Sequence, residues 1–340
     1  RTLDMSAWQL VEGVAPEPQT SPDQPPRPPP SGELRIGLLP AAGTSIERNR
    51  FALPILKGLE EASRDTGLEL TVRETPEDRP PADAARDLIA EGYTLIVAVG
   101  WRDPDVLRGL ALEHAEVRFV GFGHLDPDPP PNLVGYAFRM DQAGFLAGAL
   151  AGRATESKRV AVIGGVPTPG VEQLVSGFEQ GVQHACPECE VMVRFADTLS
   201  DLPLGQEVGR QVVREGGDVV FNAAGAAGSA ALRSAAQQGA WAIGVDGDEY
   251  GVTFREGQVP HADRLLGSVV LRADRQAYET VERFARGEFV AGSFPLGHAQ
   301  GSIEFLPAPE NAHPRWPELE RHLRDVARGL ESGELLPERP

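Results

Sequence analysis

The sequence predicts an α/β protein of two doubly wound parallel-sheet lobes, joined by a multi-strand hinge into a clamshell. Its 340 residues exceed what one core usually fills. Short apolar runs alternate with segments of helical period, the signature of βα units stacked into a parallel sheet. The alternation restarts near residue 140, so the same unit is written twice.

The first 32 residues stand outside that pattern. Residues 14–32 (VAPEPQTSPDQPPRPPPSG) are mostly Pro with polar fillers and offer no core. At about 3.1 Å per residue in a polyproline II path, such a segment reaches roughly 50 Å, enough to tether a domain away from a surface. The chain begins at Arg1 rather than Met, so the natural N-terminus is expected to have been removed or omitted, and a signal peptide could have gone with it.

The first lobe is expected over 33–138 plus 272–297. It opens with a strand at 34–39, a helix over 50–66, and strands near 68–73, 94–99 and 117–122, with helices near 81–91 and 103–115 between them. The second lobe, 139–271 plus 298–335, has a helix at 141–153. Strands follow at 160–163, 191–195, 219–221, 242–245 and 266–271. A helix at 274–286, a strand at 302–305 and a charged helix from Trp316 complete the chain. Crossings between lobes are expected near 138–141, 246–250 and 268–273.

Composition narrows the function. A formal charge of -18 opposes nucleic-acid binding, which needs clustered Lys and Arg. No apolar run approaches the roughly 18 residues of a membrane span. The seven His lack metal-ligand spacing, there is no Gly-x-Ser-x-Gly elbow, and neither Cys has an obvious base, so no enzyme, metal or cofactor is expected. Cys186 and Cys189, in CPEC after a helix and before a strand, read as a structural disulfide or as two idle thiols.

Ligands of open parallel sheets sit beyond the carboxyl ends of the strands, so residues just after strands are the site candidates. Asp246 ends the run AIGVD; an ionised carboxylate there either grips ligand hydroxyls or caps the next turn. Asp248 and Glu249 read as solvated, or at best as a weak cation site. Ala224 and Gly225, after VVFNA, either let backbone amides approach a ligand or serve close helix packing. Glu172 follows the GGVPTPG turn and is expected at the cleft. Asn49, Phe51 and Trp101 lie where the first lobe's wall should be, and aromatics there can sandwich a flat ligand.

Taken together, the chain resembles the basic-membrane-protein family of ABC-transporter solute-binding lipoproteins, of purine-nucleoside-receptor type. The resemblance covers roughly 34–306. It is carried by Gly100-Trp101, NLVGYAF (132–138), DQAGFLAG (141–148), VIGG (162–165), SGFEQGV (176–182), FNAAG (221–225) and IGVD (243–246), in the family's order. It implies a type I periplasmic-binding-protein fold, with Asp246 on ribose hydroxyls, Phe51 stacked on the base and the Ala224-Gly225 turn against the sugar. Asn49 and Trp101 would complete the wall. Three positions depart from the pattern. Gly123 replaces a base-reading acid, with His124 nearby either as a substitute contact or as a solvated side chain. Leu199 replaces a stacking aromatic. Leu271 replaces a lysine, for which Arg272 could stand in.

The expected function is therefore that of an extracytoplasmic, membrane-tethered, monomeric receptor. It would pass a nucleoside-like small molecule to an ABC permease by hinge closure. The alternative is a sensor using the same cleft without transport. A DNA-binding regulator on this frame needs a headpiece that the first 32 residues do not supply.

Overall fold

The computed structural model describes residues 34–338 except Arg102, so the expected tether lies outside the described residues. Two six-stranded sheets form the frame. In the first, β1 (Arg35–Pro40) lies between β2 (Glu69–Val72) and β3 (Leu95–Val99), followed by β4 (Arg118–Phe122) and β5 (Leu133–Phe138). In the second, β6 (Arg159–Gly164) lies between β7 (Glu190–Phe195) and β8 (Val219–Ala223), followed by β9 (Trp241–Asp246) and β10 (Leu265–Leu271). Each lobe thus has the strand order 2-1-3-4-5, with its switch point between the first and third strands. The outer edge of each sheet is supplied late in the chain. β11 (Gly292–Leu296) adds parallel to β5, and β12 (Ile303–Pro307) adds antiparallel to β10.

The continuous apolar runs at 95–99 and 119–122 are buried at every position, as central strands covered on both faces must be. The first lobe carries α1 (Ala52–Thr66), α2 (Pro81–Ala90) and α3 (Pro104–Glu113). The second carries α4 (Met140–Ala154), α5 (Pro169–Ala185), α6 (Leu202–Arg214), α7 (Gly225–Ala236) and the single turn α8 (Glu249–Val252). α9 (Ala273–Ala285) returns to pack on α1, and α10 (Trp316–Ser332) lies against α4.

The glycines of DQAGFLAG and SGFEQG explain themselves in the α4–α5 contact. A Cβ on Gly144, Gly148 or Gly181 would fall 2.1 Å from a carbonyl oxygen of the facing helix. Only glycine permits that approach.

Three crossings join the lobes: between β5 and α4, between β10 and α9, and between β11 and β12. The expected crossing at 246–250 is not one, because β9 and β10 are neighbours in the same sheet; the third crossing is the 296–303 segment instead. Backbone bonds tie the crossings together. Arg139 N–H donates to Leu296 O at 2.8 Å and Arg272 N–H to Ser302 O at 2.9 Å. His298 N–H donates to the Gln142 carboxamide at 2.9 Å. Cys186 and Cys189 form a disulfide at the end of α5, which selects the first of the two readings of CPEC.

Candidate functional site

The carboxyl ends of the two sheets meet. Arg50 lies in the turn between a short 3-10 helix (Ile46–Arg48) and α1, beyond the end of β1. Its guanidinium reaches the second lobe, with Nη1 3.5 Å from Glu249 Oε2 and Nη2 donating to Thr253 Oγ1 at 3.0 Å. Three residues before Glu249, Asp246 closes β9.

Glu249 is fully buried, which overturns its reading as a solvated loop acid. Its carboxylate accepts from Ser229 Oγ at 2.8 Å, from Asn222 Nδ2 at 3.2 Å and from the Thr253 hydroxyl. Its own N–H meets Ser268 Oγ at 3.1 Å. A buried carboxylate survives only with such partners. Two glycines make room for them. A Cβ on Gly244 would lie 2.3 Å from Glu249 Cγ, and one on Gly228 only 1.6 Å from Asn222 Oδ1.

Asp246 has a φ of +70°, a left-handed conformation that Asp tolerates better than most residues. Protein surrounds its carboxyl, although part of it still meets solvent. Burial, then the negative charge of Glu249, push it up to about 6, while Arg50 pulls the other way. At neutral pH it remains mostly ionised and able to accept from hydroxyls.

From β7 toward β9 the strand ends change character. Leu199, 48% exposed, overhangs the turns after β6 and β8: a Cβ on Gly165 would lie 2.3 Å from its Cδ2, and one on Gly225 3.2 Å from its carbonyl oxygen. Val166 and Phe195 are exposed beside it. The second lobe therefore presents an apolar stretch, then the small Ala224-Gly225 turn, then the acid. Ala224 is wholly buried, with its N–H on Asn222 Oδ1 at 2.8 Å, so its side chain serves packing; Gly225, at a φ of +55°, keeps some exposure.

The remaining candidates divide. Asn49 is a helix cap, its carboxamide oxygen accepting from Phe51 N at 3.0 Å and Ala52 N at 3.1 Å. Phe51 is half-buried and meets Phe138 edge-on at 6.0 Å. Trp101 spends its indole N–H on Leu39 O at 3.1 Å. His124 is neither solvated nor open to a ligand. It is buried in the first lobe over Gly121 and Gly135, and burial lowers its pKa and keeps the ring neutral. Glu172 is exposed on the first turn of α5 and pairs with nothing else in the site. Arg272 is engaged by two acids. Its guanidinium is held by Asp274 at 3.1 Å and Glu304 at 3.2 Å, where it braces a crossing.

Arg50, Glu249 and Thr253 were not singled out as site residues. The signal was present: a cation beside Phe51, and a glycine before an acid run at a strand end. Among the described residues no group of three or more His, Cys, Asp or Glu is placed to hold a metal ion. A cavity of about 250 Å³ lies apart from these residues, between α9 and β11, lined by Tyr136, Phe289, Phe294 and Arg283 among others.

Known proteins share this frame. A solute-binding protein of an ABC transporter system from Aeropyrum pernix K1 superposes with a TM-score of 0.76 at 20% identity, covering 90% of this chain and 94% of that one. A transcriptional activator of the comK gene from Bacillus halodurans gives 0.73 at 21%, covering 89% and 100%. At these identities the likeness is one of fold. In sequence, basic membrane protein A of Borreliella afzelii is 27% identical over 226 residues, 64% of this chain and 68% of that protein. Against three further basic membrane proteins of the A type the chain spans 61% to 65% of their length. No described helix is long and apolar enough to cross a membrane. Residues 49–322 match the family described as ABC transporter substrate-binding protein PnrA-like, and the chain belongs to that family.

Proposed function

We propose that this chain is the extracytoplasmic receptor of an ABC importer, binding a nucleoside-like ligand, with a ring at one end and hydroxyls at the other, between its lobes. One observation carries this reading. Arg50, next to Phe51, touches Glu249, three residues from Asp246, so the aromatic-bearing turn of one lobe and the acid-bearing turn of the other come to the same place. Asp246 would accept from vicinal hydroxyls, with the Gly225 turn against the sugar and Phe51 against the ring.

With Gly123 and Leu199 in place of an acid and an aromatic, the ring would be held by apolar contact rather than read by hydrogen bonds. Apolar pockets discriminate by only about 1–3 kcal/mol, so several rings should be accepted. The disulfide Cys186–Cys189 suits an oxidising compartment. A monomer on its Pro-rich tether, handing the solute to a membrane permease, completes the reading.

A thermal-shift panel of nucleosides, free bases, sugars and amino acids tests it, because a ligand of the folded state raises the melting temperature. Shifts with several nucleosides and none with free bases are expected. A shift confined to sugars or amino acids would overturn the nucleoside assignment.

A further inference from the structure

We infer that Arg50 is a cross-cleft tether that sets the closure equilibrium of this receptor, and through it the affinity of the cleft; the inference rests on reading that cleft as the solute site. Arg50 belongs to the first lobe, while both of its partners belong to the second. Such contacts exist only when the lobes are together.

The geometry is a closed ring of three groups. Arg50 Nη2 donates to the Thr253 hydroxyl, that hydroxyl donates to Glu249 Oε2, and Arg50 Nη1 faces the same oxygen. Glu249 is a fixed receiver. Ser229 and Asn222 hold its other oxygen, Oε1, from within the second lobe. Opening the cleft withdraws a cation from a carboxylate with no exposure of its own, leaving three neutral donors and the like charge of Asp246 close by. Removing one member of such a pair is costly, so the ring favours the closed form through protein groups alone.

Arginine suits the task. Its planar fork offers one nitrogen to the hydroxyl and another to the carboxylate, which a single ammonium cannot match. The charged groups at this spot are Arg50, Asp246 and Glu249, with Asp248 committed to the N–H of Tyr250 at 2.9 Å. Arg50 therefore also favours ionisation of Asp246, the group assigned to grip hydroxyls. A solute that needs the closed form pays less for closure when the tether holds part of the population closed already.

The test compares wild type, Arg50→Ala, Arg50→Lys and Thr253→Val by small-angle X-ray scattering without solute, and follows the Asp246 carboxyl by NMR titration. Neither readout requires the solute to be identified, so failure of the nucleoside assignment leaves both intact. Arg50→Ala should increase the radius of gyration and move the Asp246 midpoint upward from about 6. Arg50→Lys should recover part of both changes, and Thr253→Val should open the protein to a smaller degree. Affinity for any solute found should fall roughly tenfold in Arg50→Ala. Unchanged scattering and an unchanged Asp246 midpoint in Arg50→Ala would overturn the tether, as would identical scattering from Thr253→Val and wild type.

Discussion

The two lobes are built alike down to their joints and differ at their rims. Each has the strand order 2-1-3-4-5, and each is entered through an Arg-x-Asp step, Arg139 to Asp141 in one and Arg272 to Asp274 in the other. In each, a glycine of the lobe's own helix abuts the carbonyl of that Asp: a Cβ would lie 2.0 Å away at Gly58 and 2.1 Å away at Gly177. At the strand ends the likeness stops. The first lobe has spent its polar groups internally, with Asn49 capping a helix, Trp101 on a backbone carbonyl and His124 buried, and it offers Phe51 and Arg50. The second presents the Asp246 carboxylate, with Glu249 buried nearby, and an apolar ledge. Duplicated architecture supplies the frame, while the two rims differ in charge.

The joints provide the sharpest way to break the comparison. Asp141 is wholly buried, whereas Asp274 is 39% exposed. Arg139→Ala should therefore destabilise the protein by about 3–5 kcal/mol, the cost of stranding a buried charge. Arg272→Ala should cost less than about 1 kcal/mol. Urea denaturation of the two variants measures the difference, and equal losses would mean that sequence likeness, not burial, governs the joints. The glycines should behave alike instead. Gly58→Ala and Gly177→Ala each force a helix off a carbonyl and should each cost about 2–3 kcal/mol. A large inequality between them, measured in the same way, would show that one lobe yields more easily.

A smaller effect separates the rims. The Asp246 carboxyl stands at about 6 in the fold against an ordinary 3.8. A raised folded value favours the fold in acid, and that contribution is lost as pH rises through about 6, on the order of 2 kcal/mol. Solute affinity should run the other way, rising over the same window as the carboxylate forms. Asp246→Asn should flatten both slopes. Comparing wild type with this variant in urea at pH 5 and pH 7.5 isolates the group from the rest of the protein.

Much of the frame was legible in the sequence because buried parallel strands announce themselves as unbroken apolar runs, as at 95–99 and 119–122. β11 was not, since Gly-Ser-Phe-Pro-Leu reads as a loop, and its proline is tolerated only because the strand lies at a sheet edge. The position of Asp246 at the end of a strand was legible. Glu249 was misread because Asp-Gly-Asp-Glu looks like a solvated turn, and its burial depends on Ser229, Asn222 and Ser268, which are distant in sequence. The pairing of Arg272 was hidden for the same reason: one partner is two residues away, but the other, Glu304, arrives from β12. Pairings made by tertiary structure leave little local trace.

The central claim is that the second lobe grips a hydroxyl-bearing solute through Asp246 while the first lobe covers it. Titration calorimetry of wild type and Asp246→Ala, with the nucleoside giving the largest thermal shift, tests this most directly. The variant should bind at least about a hundredfold more weakly, as expected for loss of charge-assisted hydrogen bonds in a desolvated site, while retaining a cooperative unfolding transition. Equal affinity in the two proteins would contradict the claim.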